Sequence, residues 1–273
     1  MHAIALRIFD QPIRLRIDDP AALQLVQACY SAFRDESAAA PDALEVDVAA
    51  ASDGTSWTVS YGNEAVACAE LADLAYEIEK GLTIELQNRR RDLLFLHAAA
   101  VDVNGVGTLI TGESGAGKST LCWGLCNEGC RYLSDELAPV RLDTLQIEPY
   151  PHAICLKSVP EGGYAAPPTS LRTRVTTHIP VESIPGGIVH GASELRNIVF
   201  LSDEADGADP GLEKIAPAEA AARLYVLSLN PLAHDKDGLA AAARVARAVS
   251  CFRLNRSDPA AMRRAILGVA GVV

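Results

Sequence analysis

Apolar and polar residues alternate over 3–8 and again over 11–16, with Asp10-Gln11-Pro12 between them, which predicts two strands joined by a turn. From Pro20 the period lengthens, and Leu23, Val26, Cys29, Tyr30 and Phe33 fall on one helical face. A polar and alanine-rich loop over 37–42 leads to three further strand patterns at 44–48, 57–61 and 65–68. Residues 1–68 therefore read as a small α+β subdomain, and nothing in it looks catalytic. From 70 to 88 the apolar positions Leu71, Leu74, Ile78, Leu82 and Leu86 step by three or four, the stripe of an amphipathic helix. Residues 69–92 are expected to bridge the subdomain to the rest of the chain. The basic run Arg89, Arg90 and Arg91 suits a solvated helix C-terminus favoured by the dipole, with a phosphate or peptide contact as the alternative.

Residues 93–273 alternate strand and helix patterns. Strands are expected at 93–97 and 99–103, followed by Asn104-Gly105, a strong hairpin turn, and a buried strand at 107–110. A helix follows from Ser119 to about Asn127, capped by Gly129, and then a short strand at 132–133. Later strands are expected at 196–201 and 251–254, and helices at 217–227, 239–249 and 259–267. Residues 151–187 are rich in proline and glycine, including Pro160-Glu161-Gly162-Gly163 and Ile184-Pro185-Gly186-Gly187. A long segment of that kind within a compact domain reads as a lid or an acceptor contact. Asp203 to Pro210 reads as an acidic loop.

The 273 residues carry a formal net charge of -11, which argues against broad contact with nucleic acid or an anionic membrane. No apolar run is long enough to span a bilayer, and Met1 to Phe9 lacks the features of a signal peptide, so a cytoplasmic location is expected. Seven scattered cysteines argue against a disulfide framework. Cys122, Cys126 and Cys130 share a helix face and read as buried small apolar residues rather than a metal or redox group. The histidines His2, His152, His178, His190 and His234 have no ligand spacing.

Gly112, Glu113, Ser114, Gly115, Ala116, Gly117, Lys118 and Ser119, followed by Thr120, form the complete phosphate-loop pattern between the expected strand and helix. Glycines let backbone N–H groups close around an anion, and the helix N-terminus adds its dipole. Lys118 is expected to reach the β and γ phosphates of ATP, and Ser119 to hold Mg²⁺. Asp135 follows Lys118 by seventeen positions (135 − 118), one helix and one returning strand later, and Glu136 is adjacent. One acid of such a pair can hold the metal while the other orients or deprotonates an attacking hydroxyl. The alternative is a solvated turn carrying two acids.

The run from His97 through the loop to Asp135-Glu136 resembles the catalytic core of HPr kinase/phosphorylase, whose P-loop fold is shared with phosphoenolpyruvate carboxykinase. The resemblance implies an α/β fold with a compact P-loop kinase core of that type beside the N-terminal α+β subdomain. It places His97 near the phosphates and gives Asp135 the role of base or orienting group. Glu136 stands where the family has a second aspartate. Arg196, ahead of an apolar strand, resembles an arginine of the family's later active-site region. The Arg-Gly-Leu-Gly motif linked to reverse phosphorolysis has no counterpart; Ile154 to Gly163 occupies the place, with Lys157 where an arginine would stand.

The expected catalytic residues are thus Asp135, Lys118, His97 and Arg196, with Ser119, Glu136 and Asp135 as metal ligands and ATP and Mg²⁺ as cofactors. The expected function is transfer of the γ-phosphate to a hydroxyl, serine on a peptide or small protein, as in the lasso-peptide kinases. Two alternatives stay open: a nucleotide-binding regulatory or assembly protein with little catalysis, and a small-molecule hydroxyl kinase. The resemblance also implies a homo-oligomer.

Overall fold

In a computed structural model that describes residues 2–38, 40–52, 54–158, 163–202, 211–234 and 238–271, the chain opens with a tight hairpin. Strand β1 (His2–Ile8) pairs antiparallel with β2 (Gln11–Ile17). The turn lies at Phe9 and Asp10, both at positive φ, one residue earlier than Asp10-Gln11-Pro12 suggests. Helix α1 (Pro20–Tyr30) starts where Asp19 accepts the Ala22 amide, with Pro20 at the first turn. It buries Leu25, Val26, Cys29 and Tyr30. Strands β3 (Leu44–Ala50), β4 (Trp57–Tyr61) and β5 (Glu64–Cys68) complete a five-stranded sheet in the order β1-β2-β3-β4-β5.

Helix α2 (Leu71–Arg89) lies on this sheet through Leu74, Ile78, Leu82 and Leu86, the expected stripe. Each such leucine or isoleucine contributes about 1.5–3 kcal/mol on burial. Close approach is allowed at Gly81, where a Cβ would lie 2.2 Å from the Tyr61 ring. The Tyr61 hydroxyl donates to the Ile78 carbonyl at 2.8 Å. The basic run at the helix end is not uniformly solvated: Arg90 donates to the Phe9 carbonyl at 2.6 Å and to Asp92 at 2.8 Å, tying α2 to the first hairpin.

The second sheet is built from β6 (Leu93–Leu96), β7 (Ala98–Val103), β8 (Val106–Thr111), β9 (Arg131–Ser134), β10 (Ala138–Arg141) and β11 (Gln146–Ile147), with helix α3 (Lys118–Asn127) between β8 and β9. A three-stranded sheet of very short strands follows, formed by β12 (Ile154–Leu156), β13 (Leu171–Arg172) and β14 (Thr177–Ile179). The proline- and glycine-rich segment is therefore partly a sheet. Strands of two or three residues are too short to show an alternation. Pro160 to Gly162 and Asp203 to Pro210 lie outside the described residues.

Strand β15 (Ser193–Ser202) runs parallel to β8 along one edge. Beyond it, β16 (Glu213–Lys214) precedes helices α4 (Pro217–Leu227) and α5 (Gly238–Ala248), and strand β17 (Ser250–Asn255) returns parallel to β15 on its other edge. Helix α6 (Pro259–Val269) ends the fold. Alternate residues of β8 and β15 point to opposite faces: Leu109, Ile198 and Phe200 pack with α4 and α5, whereas Ile110, Val199 and Leu201 pack with α3 and α6. The result is an α/β layer with helices on both faces. Cys122, Cys126 and Cys130 are buried in the α3 layer. Among the described residues no helix is long and apolar enough to cross a membrane.

The two sheets share a core. Leu93, Phe95, Leu137, Tyr150 and Ala153 pack in one cluster with the strands of the first sheet, α1 and α2. The Tyr150 ring lies 5.7 Å from Phe9 and 5.1 Å from Phe33.

Candidate functional site

Strand β8 delivers the chain to Gly112 at the carboxyl end of the sheet, and α3 begins six residues later. The backbone turns in the space between. Gly112 sits against Leu201, where a Cβ would come within 3.2 Å of the Leu201 carbonyl oxygen. Gly117, just ahead of the helix, has φ 98°, a conformation that costs most other residues about 1–2 kcal/mol. The amide of Ala116 donates to the Glu113 carbonyl at 3.2 Å, while Glu113, Ser114 and Gly115 stay exposed. The first amides of α3 have no acceptor within the helix. A nest of donors thus surrounds a pocket of about 100 Å³.

Lys118 is 6% exposed, and its ammonium donates to the carbonyls of Gly112 and Glu113, each at 3.1 Å. Burial lowers its pKa, and the charges of Glu136 and Asp135 oppose that. The side chain is folded over the loop, where an anion would replace its carbonyl partners. Ser119 and Thr120 line the same pocket.

Asp135 and Glu136 follow β9 at this end of the sheet. Asp135 is buried, and its Oδ2 accepts the Cys155 amide at 3.1 Å. Its Oδ1 has no hydrogen-bond partner among the described residues. Burial, reinforced by the charge of Glu136, pushes the carboxyl up to about 7, against the Cys155 amide and the Ser119 hydroxyl. Glu136 has φ 73°, a strained conformation for a residue with a side chain, and it turns its carboxylate to His97. Glu136 Oε2 lies 3.4 Å from His97 Nδ1.

His97 sits between β6 and β7 with its backbone fixed on both sides. Its N–H donates to the Leu227 carbonyl at 3.0 Å, and its own carbonyl accepts the Thr111 hydroxyl at 3.0 Å. Burial and then the Lys118 charge lower its pKa, with Glu136 pulling the other way. Lys157, after β12, brings its ammonium to 3.4 Å from Ser114 Oγ. His97, Lys118, Ser119, Glu136 and Lys157 therefore surround one small pocket, with Asp135 buried behind it.

Arg196 is not brought there. It lies at a bulge between Leu195 and Asn197, level with Gly107 and Thr108 at the start of β8, whereas the loop leaves the far end of that strand. Its guanidinium is exposed and pairs with Glu194 at 2.9 Å. The sequence places an arginine before an apolar strand, and in the structure it lies at the opposite end of that strand from the loop.

Two larger cavities flank the loop. One of about 550 Å³ is lined by Gly112, Glu113, Phe200, Arg223 and Val226. The other, of about 660 Å³, runs along α2 and shares His97, Glu136, Cys155 and Lys157 with the small pocket. Glu79 on α2 stands in it, and burial, with Glu136 adding to the effect, pushes its carboxyl up to about 8. Sequence reasoning missed Glu79 and the Cys155 amide. Glu79 had a signal, since it sits three residues before Leu82 and seven before Leu86, at the margin of the apolar stripe. A backbone amide has none.

No family model matches this chain. Over 60 residues, 22% of its length, it is 40% identical to the HPr kinase/phosphorylases of Clostridium botulinum and Bacillus subtilis, and over 59 residues 41% identical to that of Clostridium beijerinckii. The matched segment spans about a fifth of the length of these curated relatives, 20% in Clostridium botulinum and 19% in Bacillus subtilis. Among solved structures, the HPr(Ser) kinase/phosphatase from Coxiella burnetii covers 65% of this chain and 99% of its own, with a TM-score of 0.34 and 15% identity. The sequence matches relate this chain to the HPr kinase/phosphorylases.

Proposed function

We propose that this protein is an ATP-dependent kinase that transfers the γ-phosphoryl group to a hydroxyl, serine on a peptide or small protein. The observation that carries the reading is the buried carboxylate of Asp135, held at 3.1 Å by the amide of Cys155, a residue that lines the loop pocket, with burial raising the carboxyl pKa to about 7. A group poised there can accept the proton of an attacking hydroxyl near neutral pH.

Gly112 to Thr120 would cradle the phosphates, Lys118 would leave its two carbonyl partners for phosphate oxygens, and the cavity lined by Phe200 and Val226 would take the nucleoside. Val226 is an exposed apolar group of that cavity, and the Arg223 guanidinium lies 5.9 Å from the buried Phe200 ring. His97, held by Glu136, would stand beside the transferred group. The residues suit Mg²⁺, because Asp135 Oδ1 is a buried oxygen without a partner, and Ser119 and Glu136 supply further hard oxygen ligands. When bound, Mg²⁺ neutralises charge on the phosphates. We also take residues 1–68 as a scaffolding subdomain, 69–92 as its bridge and 93–273 as the kinase unit.

Incubation with Mg²⁺, γ-labelled ATP and serine-containing peptides is expected to give phosphoserine, and to give none in Lys118→Ala or Asp135→Asn. Undiminished transfer in both variants would overturn the assignment.

A further inference from the structure

The 660 Å³ groove beside the phosphate pocket is walled on one side by α2, from Ala72 to Gln87, and on the other by residues near β14 and α4. Four large apolar side chains that line it face solvent: Tyr76 is 62% exposed, Ile84 and Val175 48%, and Leu229 41%. Apolar surface gathered along one groove marks a binding surface rather than scattered exposure. Fifteen helical steps from Ala72 to Gln87 give it a length of about 22 Å. An extended chain of six or seven residues covers that distance at about 3.3 Å each, whereas a compact small molecule fills only part of it.

The groove adjoins the small loop pocket. His97, Glu136, Cys155 and Lys157 line both cavities, and the charge of Glu79, halfway along this stretch of α2, acts on both Glu136 and Asp135. Charged groups line it as well. Lys80 pairs with Glu77 at 3.2 Å and lies 5.6 Å from the Tyr76 ring, Glu136 faces His97, and Lys157 reaches toward the phosphate loop.

We propose that this groove docks the acceptor as an extended segment with apolar residues on both sides of a central serine, Tyr76 and Ile84 selecting the flanking side chains. The docking is independent of catalysis, but the fate of the hydroxyl rests on the kinase reading above.

The test uses the full chain with ATP and Mg²⁺ and two dye-labelled heptapeptides with central serine, one flanked by leucine and valine, the other by glutamate and lysine. Fluorescence anisotropy reads docking, and transfer of labelled phosphate is measured separately. The apolar peptide is expected to bind at least tenfold more tightly than the charged one. Tyr76→Glu and Ile84→Glu, both at exposed positions, should weaken it about tenfold, while Leu232→Glu, at an exposed site outside the groove, leaves it unchanged. Equal binding of the two peptides, no binding of either, or insensitivity to both groove variants would overturn the proposal. Selective binding without transfer keeps the groove and sinks the kinase reading. Transfer blind to the flanking residues keeps the kinase and sinks the groove.

Discussion

The backbone amide of Cys155 donates to Asp135 Oδ2 at 3.1 Å, so the short β12 strand holds the carboxylate whose pKa burial raises to about 7. One oxygen is fixed by that bond, and the other, Oδ1, has no hydrogen-bond partner among the described residues.

Activity should therefore rise with pH. On the kinase reading proposed above, an Asp135 base with a pKa near 7 is protonated and idle below that value, so kcat/KM is expected to fall about tenfold per unit on the acid side. Because the charge of Glu136 helps raise the Asp135 pKa, Glu136→Gln should move this limb to lower pH. A pH-rate profile of the two proteins checks both, and an unmoved midpoint would count against the coupling.

Asp135→Asn separates chemistry from stability. Transfer should fall by roughly 10²–10⁴. A carboxyl whose folded pKa exceeds its unfolded value of about 3.9 costs stability as pH rises from that value through about 7. The neutral amide should thus melt higher than the parent at pH 8, by roughly 2–4 °C for each kcal/mol recovered, and show no gain at pH 4. Thermal melts at both pH values decide it.

Lys118→Ala is expected to weaken ATP binding by about tenfold or more, while leaving the far-ultraviolet circular dichroism unchanged. Titration with a fluorescent ATP analogue reads this directly; an unchanged Kd would remove the phosphate loop from the site.

Arg196→Ala should change neither transfer nor stability appreciably. Its exposed pairing with Glu194 is worth about 0–1 kcal/mol. A large loss of kcat would restore the role suggested by its sequence context.

Gly81→Ala should destabilise the fold by about 1–3 kcal/mol or more, because its methyl group would meet the Tyr61 ring. Chemical denaturation checks this, and Gly81→Ala combined with Tyr61→Leu should recover part of the loss.

The glycine-rich loop over 112–117 was legible as a strand-to-helix turn because it combines a fixed spacing with a change of period, from the β8 strand pattern to the α3 helix pattern, and the structure puts it at the carboxyl end of β8. The α2 stripe was legible for the same reason. Asp135 could be located by its distance from Lys118, but its burial and its Cys155 partner arise from packing between segments that are distant in sequence. Strands β12 to β14 carry too few residues for periodicity to register. For Arg196, residue type before a strand does not say which end of the strand faces the loop, and the structure puts it at the end away from the loop.

The aromatic contacts of Tyr150 with Phe9 and Phe33 bear on how the protein can be re-engineered. Residues 1–68 are not an interchangeable cassette: their core is continuous with Phe95 and Leu137, and Leu137 directly follows the acid pair. Grafting a foreign N-terminal segment onto this phosphate-loop layer would require the junction to be repacked, or the transplant would disturb the acid pair itself.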